Sequence, residues 1–107
     1  MYARIVEFVP RYEKKDEFIK TMKNEVLPIL KKQVGFLDVL PLFPETKNEK
    51  AVHITLWMEK RDAERYAREV FPRVEDILRP FLTTPITWKF YNVETTLCEH
   101  FVNALAA

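Results

Sequence analysis

Apolar residues in this chain recur every second position, then about every fourth, then every second in two consecutive stretches, then every fourth, and finally every second again. Period 2 sends side chains to alternate faces of a strand, and a period near 3.6 gathers them on one stripe of a helix. The periods therefore spell β-α-β-β-α-β, which leaves few folds open. The sharpest switch lies in residues 52–63. Val52, Ile54, Leu56 and Met58 alternate with His53, Thr55 and Trp57, the run Glu59-Lys60-Arg61-Asp62 stops the alternation, and a helical period begins at Ala63. A site in this chain is expected near this junction, where strand and helix diverge beside Trp57.

The other elements follow the same logic. Residues 2–9 read as a strand, with Tyr2, Arg4, Val6 and Phe8 on one face and Ala3, Ile5, Glu7 and Val9 on the other, ended by Pro10. A helix over about residues 14–33 carries Phe18, Met22, Val26 and Leu30 on its apolar stripe. Pro28 inside it predicts a kink or local break, because proline has no amide N–H to donate. Gly35 suits a left-handed cap after the last turn. Residues 36–43 form a second strand, placed at an edge or bulge by Pro41. A polar stretch, residues 44–50, turns the chain into the strand at 52–58. The second helix spans about residues 61–82, with Pro72 predicting two pieces. Residues 86–94 form the last strand. The tail, residues 95–107, reads as a small amphipathic helix with Thr96 and Glu99 as a capping box and Leu97, Phe101 and Leu105 on one side.

This order is that of the α+β ferredoxin-like sandwich, a four-stranded antiparallel sheet with both helices on one face. The strands, however, are apolar on both faces: Val6 and Phe8 against Ile5 and Val9, Ile54 and Leu56 against Trp57, Trp88 and Phe90 against Tyr91 and Val93. Two helices cover one face only, and the other would be a larger apolar patch than a monomer normally shows. A homodimer joined through its sheet faces is the expected solution.

Composition narrows the function. At 107 residues the chain fits one domain. Its net charge of +1, with signs interleaved, provides no basic stripe for nucleic acid. The β-α-β-β-α-β order is shared with RNA-recognition modules, but the third strand lacks their basic-Gly-aromatic run. Gly35 is the single glycine, so neither a phosphate-cradling loop nor a dinucleotide fingerprint can be built. No apolar run is long enough to span a bilayer, and the opening Met1-Tyr2-Ala3-Arg4 has no signal pattern. With Cys98 as the lone cysteine, a reducing, cytoplasmic setting is expected.

Three stretches carry a family resemblance: Met1-Tyr2-Ala3-Arg4-Ile5-Val6, then Val26-Leu27-Pro28-Ile29-Leu30-Lys31-Lys32-Gln33-Val34-Gly35-Phe36, then Ile54-Thr55-Leu56-Trp57-Met58-Glu59 with Ala63 downstream. Together they resemble the antibiotic biosynthesis monooxygenase (ABM) family of dimeric α/β barrels, over residues 1–94. The resemblance implies a ferredoxin-like subunit, a barrel made by two sheets, and a pocket in each subunit between sheet and helices. It implies oxygenation of aromatic or quinol substrates without a cofactor, or haem degradation in one branch. That branch shares the strand-three tryptophan, here Trp57, but needs a histidine ten residues later and an asparagine on strand one. Those positions are Ala67 and, closely, Ile5, which argues against haem chemistry.

The expected binding pocket therefore comprises Trp57, His53, Thr55, Tyr66 and Ile5, with no cofactor and no metal site. Trp57 would stack on a flat ligand. His53 lies on the same strand face and is the candidate base toward a phenolic hydroxyl. Each has a plainer structural role to set against this: Trp57 and Tyr66 as core packing, His53 as a satisfied structural histidine. Cys98-Glu99-His100 offers too few ligands for a closed metal site. Two functions fit: an ABM-type oxygenase of a small flat aromatic or quinol-like substrate, or a non-catalytic dimeric module that binds a small hydrophobic ligand or serves a stress or regulatory role.

Overall fold

The computed structural model of the chain describes residues 1–97. Strands β1 (Tyr2–Phe8), β2 (Phe36–Leu42), β3 (Ala51–Trp57) and β4 (Thr87–Asn92) form one antiparallel sheet in the order β2-β3-β1-β4. The helical layer comprises α1 (Lys15–Thr21), α2 (Leu27–Lys31), α3 (Lys60–Glu69) and α4 (Phe71–Leu78). This is the ferredoxin-like arrangement that the periods predict. β1 and β3 are central, and register pairs Arg4 with Thr55 and Val6 with His53.

The prolines act where the sequence places them, each by a different device. Ahead of Pro28 the first helix does not break. It widens into a π-helical turn at Met22–Val26, with the Leu27 amide donating to the Met22 carbonyl. An i→i+5 turn accommodates the missing proline N–H while the helix continues. Pro72 does divide the second helix: α3 ends at Val70, whose φ is stretched to −118°, and α4 starts afresh with proline in its first turn. Pro41 sits on an edge strand that also carries a bulge between Phe36 and Asp38.

Gly35 adopts φ +82°, as expected of the left-handed cap. Its carbonyl accepts from the Met58 amide at 2.8 Å, tying the end of the first helix to the end of β3. A Cβ here would run into the buried Asp62 carboxylate on α3.

The core fills the space between the helices and one sheet face. Phe8, Phe18, Val26, Leu30, Trp57, Tyr66, Val74 and Leu78 are all buried there. The opposite face carries Ile5, Ile54, Leu40, Leu42 and Tyr91, and the last three are each about half exposed. Of the tail, Thr95–Leu97 forms a short 3-10 turn; the remainder of the expected helix, its Glu99 cap and Cys98 lie outside the described residues.

Candidate functional site

Even-numbered residues of β1 and odd-numbered residues of β3 point toward the helices, so Tyr2, Arg4, Val6 and Phe8 share a face with His53, Thr55 and Trp57. This face holds two cavities that share Met22, Val39 and His53 as walls. The outer one measures about 290 Å³ and lies between the first helix (Phe18, Ile19, Met22, Lys23, Leu27) and the sheet (Val39, Pro41, Phe43, His53). It is near the low end of ligand-pocket sizes, roughly 300–1,000 Å³, so it suits a small molecule. The inner one measures about 20 Å³ and reaches Arg4, Thr55, Tyr66 and Phe71.

His53 is therefore the hinge between the two. It is 5% exposed and held between aromatic rings, with Phe8 edge-on at 5.1 Å and Phe18 at 5.5 Å. Burial lowers its pKa from 6.5 to about 4, so the imidazole is neutral at physiological pH. Its Nε2 is buried and has no hydrogen-bond partner among the described residues. An orphaned ring nitrogen beside an apolar cavity is a ready partner for a ligand hydroxyl.

Trp57 is placed differently from the expectation. It has no exposed surface and walls neither cavity. Its indole N–H donates to Thr55 Oγ1 at 2.9 Å, and its ring packs on Tyr66 at 4.9 Å and against Phe36 at 5.6 Å. Its position at the end of β3, beneath α3, explains this: the strand-helix junction closes over it and leaves no space there. Thr55 also donates to the Arg4 carbonyl at 3.4 Å, so the Trp57 side chain is joined through Thr55 to β1.

Tyr66 reaches the inner cavity, and burial raises its pKa to about 12, which keeps its hydroxyl protonated. Ile5 belongs to the open sheet face, because odd-numbered residues of β1 point away from the helices. Of the expected pocket, then, His53, Thr55 and Tyr66 are brought together, Trp57 lies behind them in the core, and Ile5 is on the other side of the sheet.

Arg4, which alternation sets on the face opposite Glu7 and which the expected pocket leaves out, is brought to the inner cavity. It is 3% exposed, with its guanidinium 3.9 Å over the Phe71 ring and 6.0 Å from that of Tyr66. Its signal was visible in retrospect: one cation within a strand face otherwise formed by Tyr2, Val6 and Phe8.

No family model matches the chain, and no curated protein matches it by sequence. Solved structures do match by shape. SnoaB, a cofactor-independent oxygenase from Streptomyces nogalater, superposes with TM-score 0.71 at 19% identity, over 92% of this chain and 97% of its own. The ActVA-Orf6 monooxygenase from Streptomyces coelicolor, solved with nanaomycin D, gives TM-score 0.64 at 17% identity, over 87% of each chain. A substituted MhuD with two manganese protoporphyrins per active site gives 0.70 at 17% identity, over 88% of this chain and 95% of its own. At these identities the likeness speaks for architecture, and it extends along nearly the whole described chain. The protein has the fold of the antibiotic biosynthesis monooxygenases.

Proposed function

We propose that this protein is a cofactor-independent monooxygenase of a small, flat, electron-rich phenol or quinol bound in the outer cavity. The observation that carries the reading is the cavity itself: an apolar space of about 290 Å³ with the unpartnered Nε2 of a neutral histidine at its inner end. His53 accepts the hydroxyl proton, and the apolar walls keep water from the electron-rich ring that results. The ring supplies the electrons: one oxygen atom of O₂ enters it, the other leaves as water, and the phenol becomes a quinone. Fold neighbours whose names describe them as oxygenases agree with this reading.

The working form is a homodimer. Leu40, Leu42 and Tyr91, with Ile5 and Ile54 between them, form an apolar sheet face that a second copy would cover.

Two observations favour a non-catalytic ligand-binding module instead. The space beside Trp57 is filled, and His53 and Lys23 are the outer cavity's only titratable residues among those described. Oxygen uptake with a panel of phenols and quinols separates the two readings. The oxygenase reading expects uptake with at least one of them, reduced about 10²- to 10⁴-fold in His53→Gln. No uptake from any member by a folded protein that binds them establishes the module.

A further inference from the structure

We infer that the inner cavity is an oxyanion site, in which Arg4 holds the phenolate or enolate oxygen of the aromatic molecule bound in the outer cavity. The inference rests on the phenol or quinol occupancy proposed above and adds the residue and the space that receive its ionised oxygen.

Among the described residues, Arg4 is a buried cation without a matching anion: its Nε has no hydrogen-bond partner, and no carboxylate stands at ion-pair distance from it. Glu75 on α4 acts on it only through space. The Phe71 ring beneath it attracts the positive charge but accepts nothing from the guanidinium edge. Burial lowers its pKa to about 10, so it stays protonated at neutral pH. Buried charges are costly unless paired, and the space beside this one is the inner cavity.

The size of that space selects the partner. About 20 Å³ holds one water-sized group, hence one oxygen atom, not a carboxylate or a phosphate. The two cavities share walls at His53, Met22 and Val39, so a ring in the outer one reaches the inner one by a single substituent. There the O–H bond breaks heterolytically. The oxygen keeps the electron pair and meets Arg4, and the proton passes to His53 and on to solvent. Tyr66, which also lines the inner cavity, carries a hydroxyl able to donate to the same oxygen, whereas the Thr55 hydroxyl already donates to the Arg4 carbonyl.

The probe is 4-nitrophenol, whose phenolate absorbs visible light and whose neutral form does not; 4-nitroanisole has the same flat shape and no ionisable hydroxyl. Spectrophotometric pH titration of the bound probe is the readout, independent of oxygen uptake. The wild type should bind the phenolate about 10- to 100-fold more tightly than the neutral phenol, as a charge-assisted hydrogen bond provides, lowering the bound probe's pKa. Arg4→Met should abolish that preference while 4-nitroanisole still binds, and Arg4→Lys should keep most of it. An unchanged preference in Arg4→Met, or a bound probe that stays neutral in the wild type, overturns the inference. Should Arg4→Met fail to fold, the wild type decides: 4-nitroanisole bound as tightly as the phenolate refutes the oxyanion site. Phenolate preference without oxygen uptake from any phenol sustains the site and removes the oxygenase reading. No binding of either probe removes both.

Discussion

Replacing Trp57 by phenylalanine separates a core tryptophan from a ligand-stacking one. The indole has no exposed surface, and its N–H donates to Thr55 Oγ1 at 2.9 Å. Phenylalanine retains one ring against Tyr66 and loses the hydrogen bond, a net contribution of about 1 kcal/mol. It also removes several buried atoms from a site that cannot fully collapse, for about 1–2 kcal/mol more. Trp57→Phe should therefore lose about 2–3 kcal/mol, or roughly 10–20 °C in Tm for a domain of this size. Urea unfolding followed by circular dichroism measures the loss, with protein concentration held fixed because self-association adds to apparent stability.

Binding is the second half of the test. Trp57 walls neither cavity, so 4-nitroanisole affinity should change by less than about threefold, since no contact to the ligand is removed. Thr55→Val supplies an internal check: it leaves the buried indole N–H unpaired, for about 1–3 kcal/mol, and should cost much less in the Trp57→Phe background. A Trp57→Phe protein of unchanged stability that no longer binds the probe would refute this account and restore tryptophan as the pocket wall.

Three further outcomes follow from the geometry. Burial holds His53 at about 4 against an ordinary 6.5, so between those values the unfolded chain binds a proton that the folded chain refuses. Stability is then full above pH 6.5 and falls as pH drops toward 4, and His53→Gln should flatten this slope by on the order of 3 kcal/mol in a pH series of urea midpoints. Gly35→Ala forces a side chain into a left-handed position and onto Asp62, for about 2–4 kcal/mol; Asp62→Ala should recover part of that loss in the double variant, and strict additivity would count against the clash. Leu40→Glu on the open sheet face should convert a dimer to a monomer in sedimentation velocity at micromolar concentration, whereas a wild-type monomer there would remove the dimer proposal.

The periods of 2 and about 4 were enough to read every strand and both helical regions, because each residue's partition between core and solvent repeats along its own element. Which face of each strand meets the helices is not a local property. Tyr2, Arg4, Val6 and Phe8 could have faced either way, and only the joint packing of α1 to α4 turns them inward. The same holds for the site. Trp57 drew attention as a large aromatic at a junction, yet a junction is where helix and strand approach most closely, and a tryptophan there is soon enclosed. Space is left instead over the middle of β3, where the first helix, opened into a π turn ahead of Pro28, contributes Met22 and Lys23 to the wall above His53. Arg4 makes the point most sharply. Its face was legible from alternation with Glu7, and so was the need of a buried charge for a partner. That the partner within the described chain is an aromatic ring and not a carboxylate depends on where Phe71 and Glu75 lie on α4, some seventy residues away in sequence. Arg4 is thus left with a ring for a partner beside a cavity of about 20 Å³, and the oxyanion site proposed above rests on that juxtaposition.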